Sequence, residues 1–165
     1  MATLNLLEFV DIAIRDEEAG VAFYKALAEV VKDSRGKEGL LAIAQQEEAQ
    51  VKWFQKMREE VDQYYPRSMD YCPKEEYPGQ YREYFDSLLA SREFTDPPAA
   101  VAAARAIASD ASAIQVAMLL EKGSLLYFKE MRNFVEHSRS ASIDVIIEEE
   151  REHLVALGKL RRMLG

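Results

Sequence analysis

A chain of 165 residues with 48% apolar side chains can bury a full core without covalent staples, and its 7 glycines and 5 prolines favour long helices joined by few turns. A formal net charge of −8 excludes the basic stripe that displaces counterions from nucleic-acid phosphate, and it suits a chain that gathers cations. The single cysteine, Cys72, excludes an intramolecular disulfide framework and a four-cysteine metal site within one chain, so a reducing cytoplasm is the expected compartment.

The opening from Met1 to Ile14 is apolar but carries Glu8 and Asp11 and no leading basic segment, so it reads as mature protein rather than a targeting signal. No run approaches the ~20 apolar residues of a membrane span, and no membrane association is expected. From Leu4 to about Lys32, Leu6, Val10, Ala13, Ile14, Val21, Tyr24, Ala28 and Val31 recur at helical spacing. This predicts one long amphipathic helix with Glu17 inside its apolar face. Gly20 weakens that helix by ~1 kcal/mol relative to alanine and is a candidate point of close helix approach. Asp33 to Gly36 reads as a short turn, and short connections join antiparallel neighbours. A second helix is predicted from about Lys37 to Tyr64, with Leu40, Ile43, Ala44, Val51, Phe54 and Met57 as its stripe. Glu47 and Gln50 are set into that stripe, Glu48 falls one position round, and Pro66 ends the helix.

From Tyr64 to Pro98 the composition changes, with all five prolines and six of the eight tyrosines. Residues 65–98 read as a crossover connector with one short helix inside, from about Gln80 to Arg92, on a stripe of Tyr81, Tyr84, Phe85, Leu88 and Leu89. Its tyrosines are expected to cap the bundle. Asp96 before Pro97-Pro98 is a helix start signal. Alanine-rich sequence then predicts a long third helix from Ala99 to about Phe134, with Glu121 in the middle of its apolar face. His137 is expected near the C-terminal end of that helix in a capping or surface role, favoured by the helix dipole. Ser138 to Ser142 reads as the turn into a last helix that runs to about Met163. Its stripe is Ile143, Ile146, Ile147, Leu154, Leu157, Leu160 and Leu164, and Glu150 with His153 fills the gap in it. Glu148 and Glu152 fall off the stripe as surface charge, with Glu149 at its border.

The halves of the chain repeat. Ala13-Ile14-Arg15-Asp16-Glu17 leads to Phe23-Tyr24, and Ala117-Met118-Leu119-Leu120-Glu121 leads to Tyr127-Phe128, so an aromatic pair follows each glutamate at one offset. Glu17 to Glu47 spans 30 residues and Glu121 to Glu150 spans 29, and each second glutamate is followed by Gln50 or His153 three positions on. Residues three apart on a helix share a face. Packing the two hairpins together brings Glu17, Glu47, Glu121 and Glu150 into one interior. Four unpaired carboxylates cannot stay ionised there, since each carries several kcal/mol of desolvation. They must protonate or bind cations, and two divalent ions would match four negative charges.

One glutamate from each of two helices and a Glu-x-x-His from each of the other two is the arrangement of ferritin-like di-iron carboxylate proteins. The phrases Ala-Ile-Arg-Asp-Glu-Glu-Ala-Gly-Val-Ala-Phe-Tyr and Glu-Lys-Gly-Ser-Leu-Leu-Tyr-Phe resemble the rubrerythrin branch in particular. The resemblance covers the four bundle helices, about three-quarters of the chain, and implies an all-α, ferritin-like antiparallel four-helix bundle in a single domain spanning 1–165. By the same resemblance Glu17 and Glu121 match terminal ligands, Glu47 and Glu150 bridging ligands, and His153 the nitrogen ligand of one iron. Two iron ions are the implied cofactor, with manganese or zinc as alternatives. Peroxide or dioxygen is the implied oxidant, and a homodimer the implied assembly.

Two departures qualify the match. Gln50 stands where the family has its second histidine, so one metal position is left with an amide oxygen, water or nothing. Ser124 stands where rubrerythrins carry a further glutamate. Both predict one weaker metal position and put peroxidase activity in question. No cysteine-rich rubredoxin module is present, so reduction is expected to need an external electron donor. A metal-binding or storage protein without redox turnover, and a structural bundle that has lost its metal, are the rival readings.

Overall fold

The computed structural model describes residues 6–64, 80–94, 96–133 and 137–164. These form α1 (Leu6–Val30), α2 (Ser34–Tyr64), α3 (Gln80–Ala90), α4 (Pro97–Arg105), α5 (Asp110–Arg132) and α6 (His137–Leu164). No helix among the described residues is long and apolar enough to cross a membrane.

The first hairpin turns more sharply than the sequence suggests. Asp33 caps α2, its carboxylate accepting from the backbone N–H of Arg35 at 2.9 Å and of Gly36 at 3.2 Å, so the helix begins at Ser34 rather than near Lys37. α1 packs along α2 and α5 along α6, and the hairpins meet through α2 with α6 and α1 with α5. The result is the expected antiparallel four-helix bundle.

The long third helix predicted from Ala99 to Phe134 is two helices. α4 ends at Arg105, and α5 restarts at Asp110 behind Ser109, whose extended backbone (φ −150°, ψ 153°) lets its side chain accept from the N–H of Ser112. The Asp110 carboxylate then takes the N–H groups of Lys32 and Asp33 at 3.0 to 3.2 Å, satisfying backbone donors in the turn between α1 and α2. These bonds outweigh the helix preference of the alanine run, which is a few tenths of a kcal/mol per residue. Released from α5, α4 lies along α1 and buries Ala100 and Ala104. α6 likewise starts earlier than predicted. His137 opens α6 rather than following the third helix, so the C-terminal dipole argument for it does not apply; its side chain lies outside the described ones.

The connector is tied to the bundle at several points. Phe85 of α3 packs on Phe9 with ring centroids 4.5 Å apart, Tyr84 donates to Glu130 at 3.0 Å, and Arg92 pairs with Asp16 beside the carboxylate layer. Tyr84 thus ties α3 to α5 at the surface. Cys72 and the tyrosines at 65, 71 and 77 lie outside the described residues.

Two apolar clusters fill the bundle. One joins Phe23, Leu27, Leu40, Ile43, Ile114 and Leu157 with their neighbours. The other joins Phe9, Val10, Phe54, Phe128, Met131 and Ile143. On each of the four bundle helices the sequence between the two clusters supplies buried polar residues: Glu17, Glu47 with Gln50, Glu121, and Glu150 with His153. A polar layer therefore crosses the middle of the core.

Candidate metal centre

Every residue singled out from the sequence lies in that layer, and none is more than 5% exposed: Glu17, Glu47, Gln50, Glu121, Glu150 and His153. Glu48 pairs with Lys25 and Glu148 with Arg151, both on the surface, so neighbouring acids on the same helices are solvated. Helical phase thus separates layer from surface one residue at a time.

Within the layer, Glu47, Glu121, Glu150 and His153 each offer a ligand atom, and these atoms lie within 4.8 Å of one another. His153 Nδ1 is the centre of the group. It stands 3.1 Å from Glu47 Oε1, 3.1 Å from Glu121 Oε2 and 3.8 Å from Glu150 Oε1. Tyr24 adds a donor from α1, its hydroxyl giving a hydrogen bond to Glu121 Oε1. Glu17 lies outside this tight group. The Gln50 amide donates through Nε2 to Glu150 Oε1 and to Glu149 Oε2, both at 3.1 Å.

The electrostatics follow from crowding acid in a dry place. Burial raises the pKa of Glu17 well above the ordinary carboxylate range, and the charges of Glu47 and Glu150 push it further. Burial does the same to Glu150, aided by Glu121 and Glu47. Glu121 is raised by burial against the opposing hydrogen bond from His153. Burial by itself would lower the His153 pKa, but the hydrogen bond with Glu121 and the nearby carboxylates of Glu121 and Glu47 outweigh it and hold the pKa at about 11. In the metal-free chain a proton on Nδ1 occupies the focus of three carboxylates.

That proton does not satisfy the layer. Glu17 Oε2, Glu47 Oε1, Gln50 Oε1 and His153 Nε2 are buried without a hydrogen-bond partner. Glu47 Oε1 stands 3.1 Å from Nδ1 as an ion-pair contact without a hydrogen bond of its own. Native interiors rarely leave such groups unpaired. Three of the four are oxygens with free lone pairs, the donor type that divalent iron, manganese and zinc accept alongside imidazole. The residues present therefore fit a metal centre.

No family model matches the chain, and no curated protein matches it. Among solved structures, a Thermotoga maritima protein provisionally described as a ferritin-like diiron-carboxylate protein superposes with a TM-score of 0.66 over 98% of this chain and 97% of its own, at 23% identity. The fold is ferritin-like.

Within this ferritin-like frame, two participants escaped the sequence reading. Glu149, placed at the border of its stripe, accepts the Gln50 amide; its half-buried position was the available signal. Tyr24 belongs to the apolar stripe of the first helix, yet its hydroxyl enters the layer, whereas that of Tyr127 leaves it to donate to the Phe9 carbonyl at 2.7 Å. The available signal was the offset: Tyr24 lies seven residues after Glu17, on the same helical face, whereas Tyr127 lies six after Glu121, about 120° round the helix.

Proposed function

We propose that the chain holds a dinuclear metal centre, iron first among candidates, and serves as a rubrerythrin-like oxidoreductase that reduces peroxide or dioxygen with electrons from an external donor. The observation that carries the reading is the convergence of buried carboxylates, one from each bundle helix, with orphaned oxygens among them. Glu47, Glu121, Glu150 and His153 would hold the first ion. Glu17, the Gln50 amide oxygen and shared Glu47 and Glu150 would hold the second. A ferrous pair supplies two electrons, enough with two protons to reduce one hydrogen peroxide to two waters.

The chain's own part is protonic and steric. The hydroxyl of Tyr24 donates to Glu121, so a proton would stay beside the ligand set while His153 gives up its own to coordinate. Phe54 stacks on Phe128 with centroids 5.3 Å apart, closing one side of the layer with hydrocarbon that excludes water. A homodimer remains the assembly that the rubrerythrin resemblance supports.

A second reading has its own observation. The Gln50 amide is committed to Glu149 and Glu150, and the tight ligand group is confined to the other half, which favours a single bound ion held without turnover. Anaerobic loading with ferrous iron, followed by elemental analysis and mixing with hydrogen peroxide or dioxygen, separates the readings. Two irons per chain and rapid oxidation support the dinuclear oxidoreductase. One iron that oxidises no faster than free ferrous ion supports the binding protein, and none retained leaves a structural bundle.

A further inference from the structure

Gly20 stands one turn after Glu17 on the buried face of α1. A Cβ built there would approach Glu47 Oε2 to 2.7 Å and Glu47 Cδ to 3.6 Å, and beyond its own helix it would meet no other atom within 4 Å. The notch left by the missing side chain is therefore filled by one carboxylate. The second oxygen of that carboxylate, Oε1, lies 3.1 Å from His153 Nδ1. Glu47 thus extends from the backbone of α1 on one side to the imidazole of α6 on the other.

The repeat shows that this notch belongs to one half only. Ser124 follows Glu121 as Gly20 follows Glu17, and it carries a Cβ. It faces a surface cavity shared with Leu88, Arg92 and Tyr127. We propose that Gly20 is a positioning residue for metal binding: its missing side chain lets Glu47 lie flat against α1, where one carboxylate serves both the Glu17 side and the His153 side of the centre. The inference rests on the metal-binding reading above. A methyl group at position 20 would displace a flexible carboxylate tip rather than backbone or core, so the fold can accept it while the ligand moves. Outer residues that aim a ligand typically alter metal affinity by roughly 10–100-fold.

Titration of the metal-free chain with Co2+, followed by calorimetry and visible absorption, tests this with Gly20→Ala. Gly123→Ala is the control, because a Cβ at Gly123 meets nothing within 4 Å. Gly20→Ala should weaken every Co2+ equivalent that the wild type binds by at least about tenfold. It should also alter the Co2+ absorption band and melt, metal-free, no lower than wild type, since alanine is the better helix former. Gly123→Ala should leave binding unchanged. Wild-type affinity and spectrum in Gly20→Ala would overturn the inference and leave the metal reading standing. A metal-free Gly20→Ala that melts below both wild type and control would overturn it too, by showing that the glycine supports the fold. A wild type that takes up no Co2+ overturns the metal reading, and the inference with it.

Discussion

Around Glu121 the polar layer is dense with proton carriers: His153 Nδ1 and the Tyr24 hydroxyl both bond to its carboxylate, and Glu47 and Glu150 stand close by. Around Glu17 the repeat places an amide and hydrocarbon instead. Gln50 stands where the other half has His153, and Phe128 where the first half has Tyr24. The carboxylates obey the repeat and their neighbours do not. Four acids make both halves attractive to cations, but only the Glu121 half pre-assembles a nitrogen with three oxygens. In the Glu17 half, Glu17 Oε2 and Gln50 Oε1 are left without partners, while the Gln50 nitrogen restrains Glu150. Repetition supplies the charge, and two pairs of positions that break it, 24 with 128 and 50 with 153, determine which half is ready to bind.

The most severe way to break this comparison is to remove a residue common to both halves. Glu150 approaches His153 at 3.8 Å and accepts from Gln50 at 3.1 Å, so it borders both. Glu150→Ala should abolish Fe2+ or Co2+ binding at both positions, a larger loss than the roughly 10–100-fold from an outer residue. Equilibrium dialysis that returns wild-type stoichiometry would show that Glu150 is not shared. A milder change sharpens the comparison by making the halves alike. Gln50→His replaces a neutral amide oxygen with imidazole nitrogen, the better ligand for these metals, and should tighten the weaker equivalent by about tenfold or more with little change in the first. Tightening of the first equivalent alone would reverse the assignment of the halves.

The bundle and its layer were legible because they rest on one periodicity. Apolar residues at helical spacing gave four faces, and a glutamate inside each face could only point inward. What escaped depended on contacts between elements. The alanine run from Ala99 onward reads locally as continuous helix, and nothing local reveals that Asp110 will accept from the turn between α1 and α2, 77 residues away at Asp33. His137 was assigned to the wrong helix because the boundary between α5 and α6 carries no glycine or proline. The purpose of Gly20, weak in a helix by itself, became clear only once Glu47 was seen across from it.

The layer's proton content yields the subtlest test, because it needs no substitution. In the metal-free folded chain, Glu17, Glu121 and Glu150 titrate above the ordinary 4.5, and His153 titrates at about 11 instead of 6.5. Unfolded, the same groups lose their protons earlier. Above about pH 4.5 the folded chain therefore holds more protons than the unfolded one, and its stability falls as pH rises, first through the carboxylates and then, from 6.5 toward about 11, through His153. Each proton so retained lowers stability by about 1.4 kcal/mol per pH unit, or roughly 3–6 °C in melting temperature for a domain of this size. Bound metal reverses the dependence, since ligands must give up protons to coordinate and binding tightens with pH. Thermal melts from pH 5 to 9 should decline without metal and stay level or rise with saturating Co2+. A metal-free chain whose melting temperature holds steady over that range would mean that the carboxylates are hydrated and ionised. The half built around His153 would then have no advantage over the half built around Gln50 beyond a nitrogen atom.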